Sequence, residues 1–329
     1  MKTKRDFPET LQEAIKHFAN KEVAFEFMKL VRWPDGVVKC PQCNSEEVSF
    51  VSTRKLWTCK HCKTKRQFTL RVGTILEDSP IGFDKWICGF WLIANAKNGI
   101  SSYEVGRALG VTQRTGWFML QRIRLAMQNG SIVKLGGTVE VDESYIGGRA
   151  RSMNNKQKAK RKSQGTGQWN LSPVQGLLQR TKEDKASRVI MLHVENNKKR
   201  TLDPNVRQFV LKGTEVHTDE LKAYENLGDE YTHQVINHAE CYARGHVHTN
   251  GLENFWSLLK RAIRGPYVSV EPFHLFRYLD EQAFRFNERK NEAGDQGRFL
   301  AAIAGMIGKR LTWKKLVSAS DADALPTTA

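Results

Sequence analysis

Nowhere in the 329 residues do apolar side chains run for the ~18 to 20 positions a helix needs to cross a bilayer. The opening Met1-Lys2-Thr3-Lys4-Arg5-Asp6 is not followed by the apolar core of a secretory signal. Both observations point to a cytoplasmic protein with no membrane partner. Cysteine is scarce, six in all, with four tightly grouped and Cys88 and Cys241 standing alone. That usage suits metal ligation in a reducing compartment and not a disulfide framework. Acids are also in short supply: 35 Asp and Glu face 52 Lys and Arg, leaving +17. With aromatics at 9%, the chain reads as a folded protein that meets a polyanion, DNA or RNA first, and not as a disordered tail.

At roughly 150 residues per domain, the length predicts about two domains plus a small module. The small module is visible near the start. Cys40-Pro41-Gln42-Cys43 and Cys59-Lys60-His61-Cys62, with 15 residues between them, supply four thiolates as two knuckles. A four-cysteine set of this kind closes a tetrahedral zinc site, so one structural Zn2+ is expected. Residues 56–58 and 67–70 read as short ribbon strands. Lys39, Arg54, Lys55, Lys60, Lys63, Lys65 and Arg66 make the ribbon basic enough to grip phosphates, although such a face is also ordinary solvated surface. Ahead of it, residues 8–31 read as one or two short helices.

Residues 83–96 carry apolar side chains at helical spacing. In the following stretch Ser101 or Ser102 caps one short helix, Gly110 ends it, and Thr112 caps another, a pattern that predicts a helix-turn-helix or an ordinary helical hairpin. In the first case Gln113 and Arg114 face the major groove, with Arg122 and Arg124 further along.

From residue 138 the pattern changes. Val139 and Val141 alternate with Glu140 and Asp142, a period-two strand with one acidic face. A second such strand, residues 215–219, also ends in an acid, Asp219. Further strands are expected at 172–179, 188–195 and 232–237, with helices at 206–211, 251–263, 272–287, 299–307 and 313–317. Three strands, a helix, a strand and more helix, with acids closing the first and fourth strands, is the order of an RNase-H-like α/β domain. Residues 147–170 read as a long basic loop, and 319–329 as a disordered tail. The domains expected are a helical segment at 1–36, the zinc ribbon at 37–73, the helix-turn-helix at 80–130, the α/β domain at 136–290, C-terminal helices at 291–318 and the tail at 319–329.

Three carboxylates drawn from two strand ends and a helix, Asp142, Asp219 and Glu253, suffice to hold two Mg2+ ions. Asp142 and Glu253 have plainer readings, and so has Glu140 on the first strand. Asp142 fits a solvated strand end, Glu140 an edge charge, and Glu253 the N3 position of a capping box opened by Asn250. Glu140 is the first substitute ligand, ahead of Glu143, Glu220 and Glu240. His233, His238, Cys241, His246 and His248 suggest a second zinc site, but their spacing is irregular.

Taken together, the four-cysteine ribbon, the helical pair, Val141-Asp142-Glu143-Ser144-Tyr145-Ile146-Gly147-Gly148, His217-Thr218-Asp219 and the run from His248 to Arg261 resemble the zinc-ribbon DDE transposases of bacterial insertion sequences, specifically the 1595-type, ISXO2-like family. The resemblance spans about residues 25–287. It implies an RNase-H-like DDE catalytic domain that cleaves element ends and transfers strands, with two Mg2+ (or Mn2+) ions. It makes Asp142, Asp219 and Glu253 the catalytic and Mg-holding triad, with 33 residues between the last two. Asp142 would bridge both ions, with Asp219 on one and Glu253 on the other. The tyrosine and arginine that some other DDE families place before the glutamate are not at those spacings here, where His246 and Thr249 stand instead. Lys260, with Arg261 beside it, is placed to contact a terminal phosphate. The implied partners are double-stranded DNA, both element ends and target, and further copies of the chain in a dimer or larger assembly on that DNA, in the cytoplasm with the nucleoid.

No covalent protein nucleophile is needed, so the missing serine or tyrosine recombinase signature does not count against the resemblance. A hydrolytic nuclease of the same fold would have little use for two reading modules upstream. A non-catalytic DNA-binding regulator would have no reason to place these three acids.

Overall fold

The computed structural model describes residues 7–128, 133–147, 155, 159, 171–181, 186–219, 222–236, 248–268 and 270–318. Its first elements are α1 (Leu11–Phe18), α2 (Lys21–Arg32), β1 (Val48–Val51), β2 (Leu56–Cys59), β3 (Gln67–Thr69), α3 (Phe83–Asn95), α4 (Ser102–Leu109) and α5 (Gln113–Met127). There follow β4 (Thr138–Ile146), β5 (Ser172–Arg180), β6 (Arg188–His193), α6 (Lys199–Phe209), β7 (Glu215–Asp219), β8 (Thr232–Ile236), α7 (Asn250–Arg264), α8 (Leu275–Asn287), α9 (Gly294–Ala304) and α10 (Trp313–Val317). Among the described residues, those of Met1–Ala96, Ile100–Gln128 and Asn291–Asp321 form one compact unit, and those of Lys97–Gly99 and Asn129–Lys290 the other. The expected tail, most of the basic loop 147–170, and Glu220, His238, Glu240, Cys241 and His246 lie outside the described residues. Among those described, no helix is long and apolar enough to cross a membrane.

In the first unit, local signals set the helix ends. Thr10 and Glu13 form a capping box on α1, and Asn20 accepts from two amides at the start of α2. Phe18, Phe27, Trp91 and Phe299 share one aromatic cluster, so α9 packs with the N-terminal helices. The backbone agrees: Thr74 bridges to Ile307, and the Ile75 amide donates to the Met306 carbonyl at 3.0 Å. Ser101 and Glu104 close a capping box on α4, Gly110 ends it at φ 60°, and Thr112 caps α5. The two helices touch through glycines. A Cβ on Gly116 would stand 2.9 Å from the Ser102 carbonyl.

The second unit is built on a five-stranded sheet of order β6-β5-β4-β7-β8. β4, β5 and β6 are antiparallel neighbours, while β7 and β8 run parallel to β4. Because side chains alternate along a strand, β4 serves two cores. Val139 and Val141 join Leu177, Leu202, Val206 and Val216 in one, against α6. Ile146 joins Val174, Leu178, Leu252, Phe255, Trp256 and Leu279 in the other, against α7 and α8. β4 continues to Ile146, beyond the expected end at residue 142, because β5 supplies partners as far as the pair Ile146–Ser172.

Candidate active site

In the first unit, Cys40, Cys43, Cys59 and Cys62 bring their sulfurs within 4.8 Å of one another. The Cys40–Cys62, Cys43–Cys59 and Cys43–Cys62 separations are 3.7, 3.6 and 3.5 Å. A tetrahedron with Zn–S bonds of about 2.3 Å has edges of about 3.8 Å, so these residues fit a structural zinc. The second knuckle begins at the end of β2, which pairs with β1 and β3. Of the ribbon cations, Lys39 pairs with Glu46 at 3.3 Å and Lys55 with Glu22 at 2.5 Å. Lys60, Lys63, Lys65 and Arg66 are exposed.

In the second unit, the paired β4 and β7 positions end at Glu140 and His217, and Asp142 and Asp219 each lie two residues further. Period two therefore puts both aspartates on the same sheet face as that pair. Asp142 Oδ2 accepts from the Trp256 indole at 2.8 Å, and Oδ1 from the Glu143 amide at 2.8 Å. Its carboxyl is pushed up to about 6, first by burial and then by the charges of Asp219 and Glu253, while those two donors pull it down. Asp142 forms no ion pair with a described cation, and Glu253 is exposed at the first turns of α7. The arrangement is a set of hard oxygen donors whose mutual repulsion a divalent cation would relieve. The cysteines remain the one group among the described residues whose ligand atoms all fall within 4.8 Å of each other.

Two expectations change here. Asn250 is not an N-cap: α7 starts at Asn250, after Thr249, which makes no side-chain cap bond, so Glu253 closes no capping box. The acceptor comes from the sheet instead. Glu140, 1% exposed, takes the Leu252 amide on Oε2 at 2.8 Å and Arg180 Nε on Oε1 at 2.6 Å. Engaged in this way on the central strand, Glu140 is a buried structural acceptor and not an edge charge. Arg180 also donates to the His248 carbonyl and meets its Nδ1, both at 2.5 Å. Burial, then Arg180, holds the His248 imidazole below its ordinary value.

Glu143 gains a larger part than its sequence suggests. Tyr224 donates to its carboxyl, Gln175 donates to the Tyr224 hydroxyl at 3.1 Å, and Asn205 donates to Gln175 at 2.8 Å. Burial first, then Asp219 and Asp142, pushes Glu143 up to about 9. It also borders a cavity of about 310 Å3, lined by Tyr145, Lys260 and Arg264 among others. Arg261 is exposed on α7. The roles of Trp256 and Tyr224 have no local signature, since both read as core aromatics.

In the first unit, Gln113 and Arg114 open α5 and are exposed, yet neither is loose. Gln113 donates to Ser102 Oγ at 2.9 Å, and the Arg114 guanidinium lies 4.3 Å from the Trp313 ring centre. His233, from the suggested second zinc set, meets Thr218 Oγ1 at 2.9 Å.

The chain matches two family models: that of an ISXO2-like transposase domain over residues 134–287, and that of a transposase zinc-ribbon domain over residues 19–65. A Haemophilus influenzae protein described as an uncharacterized transposase-like protein is 34% identical over 101 residues, 30% of this chain and 81% of that protein. No solved structure matches. The matched segments hold the four cysteines and the three acids, and on these matches the chain belongs to the ISXO2-like transposase family.

Proposed function

We propose that the chain binds the ends of an insertion sequence and carries out metal-dependent DNA cleavage and strand transfer, with Asp142, Asp219 and Glu253 as the acids that hold the metal. The observation that carries this reading is Asp142 itself, half-buried beside two further carboxylates with no described cation paired to it. A sheet of order β6-β5-β4-β7-β8, antiparallel on one side of β4 and parallel on the other, with helices on both faces, supports an RNase-H-like domain. Bound Mg2+ or Mn2+ would supply Lewis-acid activation of the attacking water or 3′-hydroxyl and neutralise charge on the leaving oxygen. The chain's own part is to orient Asp142 through Trp256, to carry Glu253 on α7, and to meet phosphate with Lys260 and Arg261.

Reading of the ends falls to the other unit. There the α4–α5 pair acts as a helix-turn-helix with Gln113 and Arg114 toward base edges, and the exposed ribbon lysines hold backbone. Joining two ends in one event calls for at least two copies of the chain on the DNA. The test is incubation of the protein with its own element's end DNA and Mg2+. Nicked and joined products are expected; nicked products that are never joined would make the protein a hydrolytic nuclease, and no cutting at all would overturn the reading.

A further inference from the structure

We infer that Glu140 is a positioning residue which fixes where Glu253 stands relative to Asp142; the inference rests on the proposed metal-holding role of those two acids. The first amides of any helix need acceptors from outside it. Thr249 offers α7 none from its side chain, and Glu140 reaches across 112 residues of sequence to accept from Leu252. A carboxylate at that end also meets the positive pole of the helix. Arg180 balances its charge and, through the His248 carbonyl, holds the chain just ahead of the helix.

The fit is close enough to dictate neighbouring residues. A Cβ on Gly251 would stand 2.8 and 2.9 Å from the two Glu140 carboxylate oxygens, so the approach requires glycine. Under the same helix, a Cβ on Gly176 of β5 would meet Leu252 at 2.8 Å and Trp256 at 2.9 Å. Two residues along the same face of β4, Asp142 receives the Trp256 indole. α7 is thus fastened to β4 at Leu252 and at Trp256, and Glu253 lies between the two fastenings. Loosening the first lets the turn that carries Glu253 drift from Asp142.

The test uses the zinc-loaded full chain. Hydrogen exchange at the Leu252 amide is measured without divalent ion, and Mn2+ affinity by titration, in wild type, Glu140→Gln, Glu140→Ala, Gly251→Ala and Asp142→Asn. Glutamine still offers an acceptor, so Glu140→Gln should keep a slow amide and near-normal affinity. Glu140→Ala and Gly251→Ala should exchange fast at Leu252 and bind Mn2+ roughly tenfold to a hundredfold more weakly, the usual loss when a ligand's support is removed. Should Glu140→Ala fail to fold, Gly251→Ala, which leaves every charge in place, decides the matter. If Glu140→Ala and Gly251→Ala bind Mn2+ like wild type while Asp142→Asn does not, Glu140 serves stability alone and this inference falls. If Asp142→Asn also binds normally, the metal-holding reading and this inference fall together.

Discussion

The Trp256 indole donates to the Oδ2 of Asp142 at 2.8 Å, joining residues 114 apart in sequence. The bond favours the ionised carboxylate and fixes its orientation, which is what a metal-holding acid needs from its surroundings. Trp256→Phe keeps an aromatic ring in the core, removes the donor and leaves a small cavity beside Gly176. It should stay folded, losing about 1–3 kcal/mol, while Mn2+ affinity and end cleavage drop by about tenfold or more. Unchanged cleavage in that variant would mean that Asp142 needs no such orientation.

Glu253→Gln separates chemistry from folding. With the Leu252 amide satisfied by Glu140, the Glu253 side chain is not needed as a capping-box acceptor at the start of α7. The variant should melt within a few °C of wild type, bind end DNA in Ca2+ as well as wild type, and cut nothing. Full cleavage would remove Glu253 from the site.

Removing the metal from the ribbon should be felt locally. Structural zinc contributes folding free energy directly, so Cys40→Ser or Cys59→Ser should unfold about residues 36–72 and weaken end binding while residues 134–287 stay folded. Metal analysis should give one zinc per chain. A zinc-free preparation with the same hydrogen exchange in the ribbon would contradict this.

The charge cluster predicts a pH dependence. Asp142 moves from an ordinary 3.8 to about 6, and Glu143 from 4.5 to about 9. Both hold their protons more tightly folded than unfolded, so their contribution to stability is present at low pH and lost as pH rises, for Asp142 between about 4 and 6 and for Glu143 between about 4.5 and 9. Asp219 and Glu253 face Asp142 with like charge, opposed by the Trp256 donor, and Tyr224 donates to Glu143. Without divalent ion, Asp142→Asn should gain on wild type by a few °C in melting temperature as pH rises from about 4 to 7. Added Mg2+ should shrink that gain. A constant difference across the range would refute the assignment.

Arg114 stands over Trp313, which holds it at the start of α5. Arg114→Ala should reduce discrimination between element ends and random DNA, since base contacts specify and phosphate contacts position. Trp313→Ala should have a weaker effect in the same direction by releasing the guanidinium. Equal loss on both DNAs would assign Arg114 to the backbone.

Much of this organisation is legible in the sequence because its signals are local. The β-branched alternation locates β4 and β7, and the serine, glycine and threonine around residues 101–112 locate the α4–α5 turn. The strand Val48–Val51 escapes such a reading, being short and without a buried residue. The capping box read at Asn250 and Glu253 shows the limit more sharply. A pattern four residues long cannot register that the acceptor arrives from a strand 112 positions away. Glu140, Trp256 and Tyr224 owe their roles to such pairings, which exist only once the sheet has closed.

The order of the sheet also has a consequence for synthesis. Glu140 and Leu252 are 112 residues apart, so at about 5–20 residues per second the ribosome needs roughly 6 to 22 s to deliver the helix after the strand. By the end of that interval both aspartates have been made, but until the helix is delivered the face that Leu252, Phe255 and Trp256 will cover is bare. On the proposed reading, a polypeptide interrupted there lacks Glu253 and leaves apolar sheet surface uncovered. The third acid of that reading and the cover over the sheet therefore arrive together, and the site cannot assemble before α7 has been made.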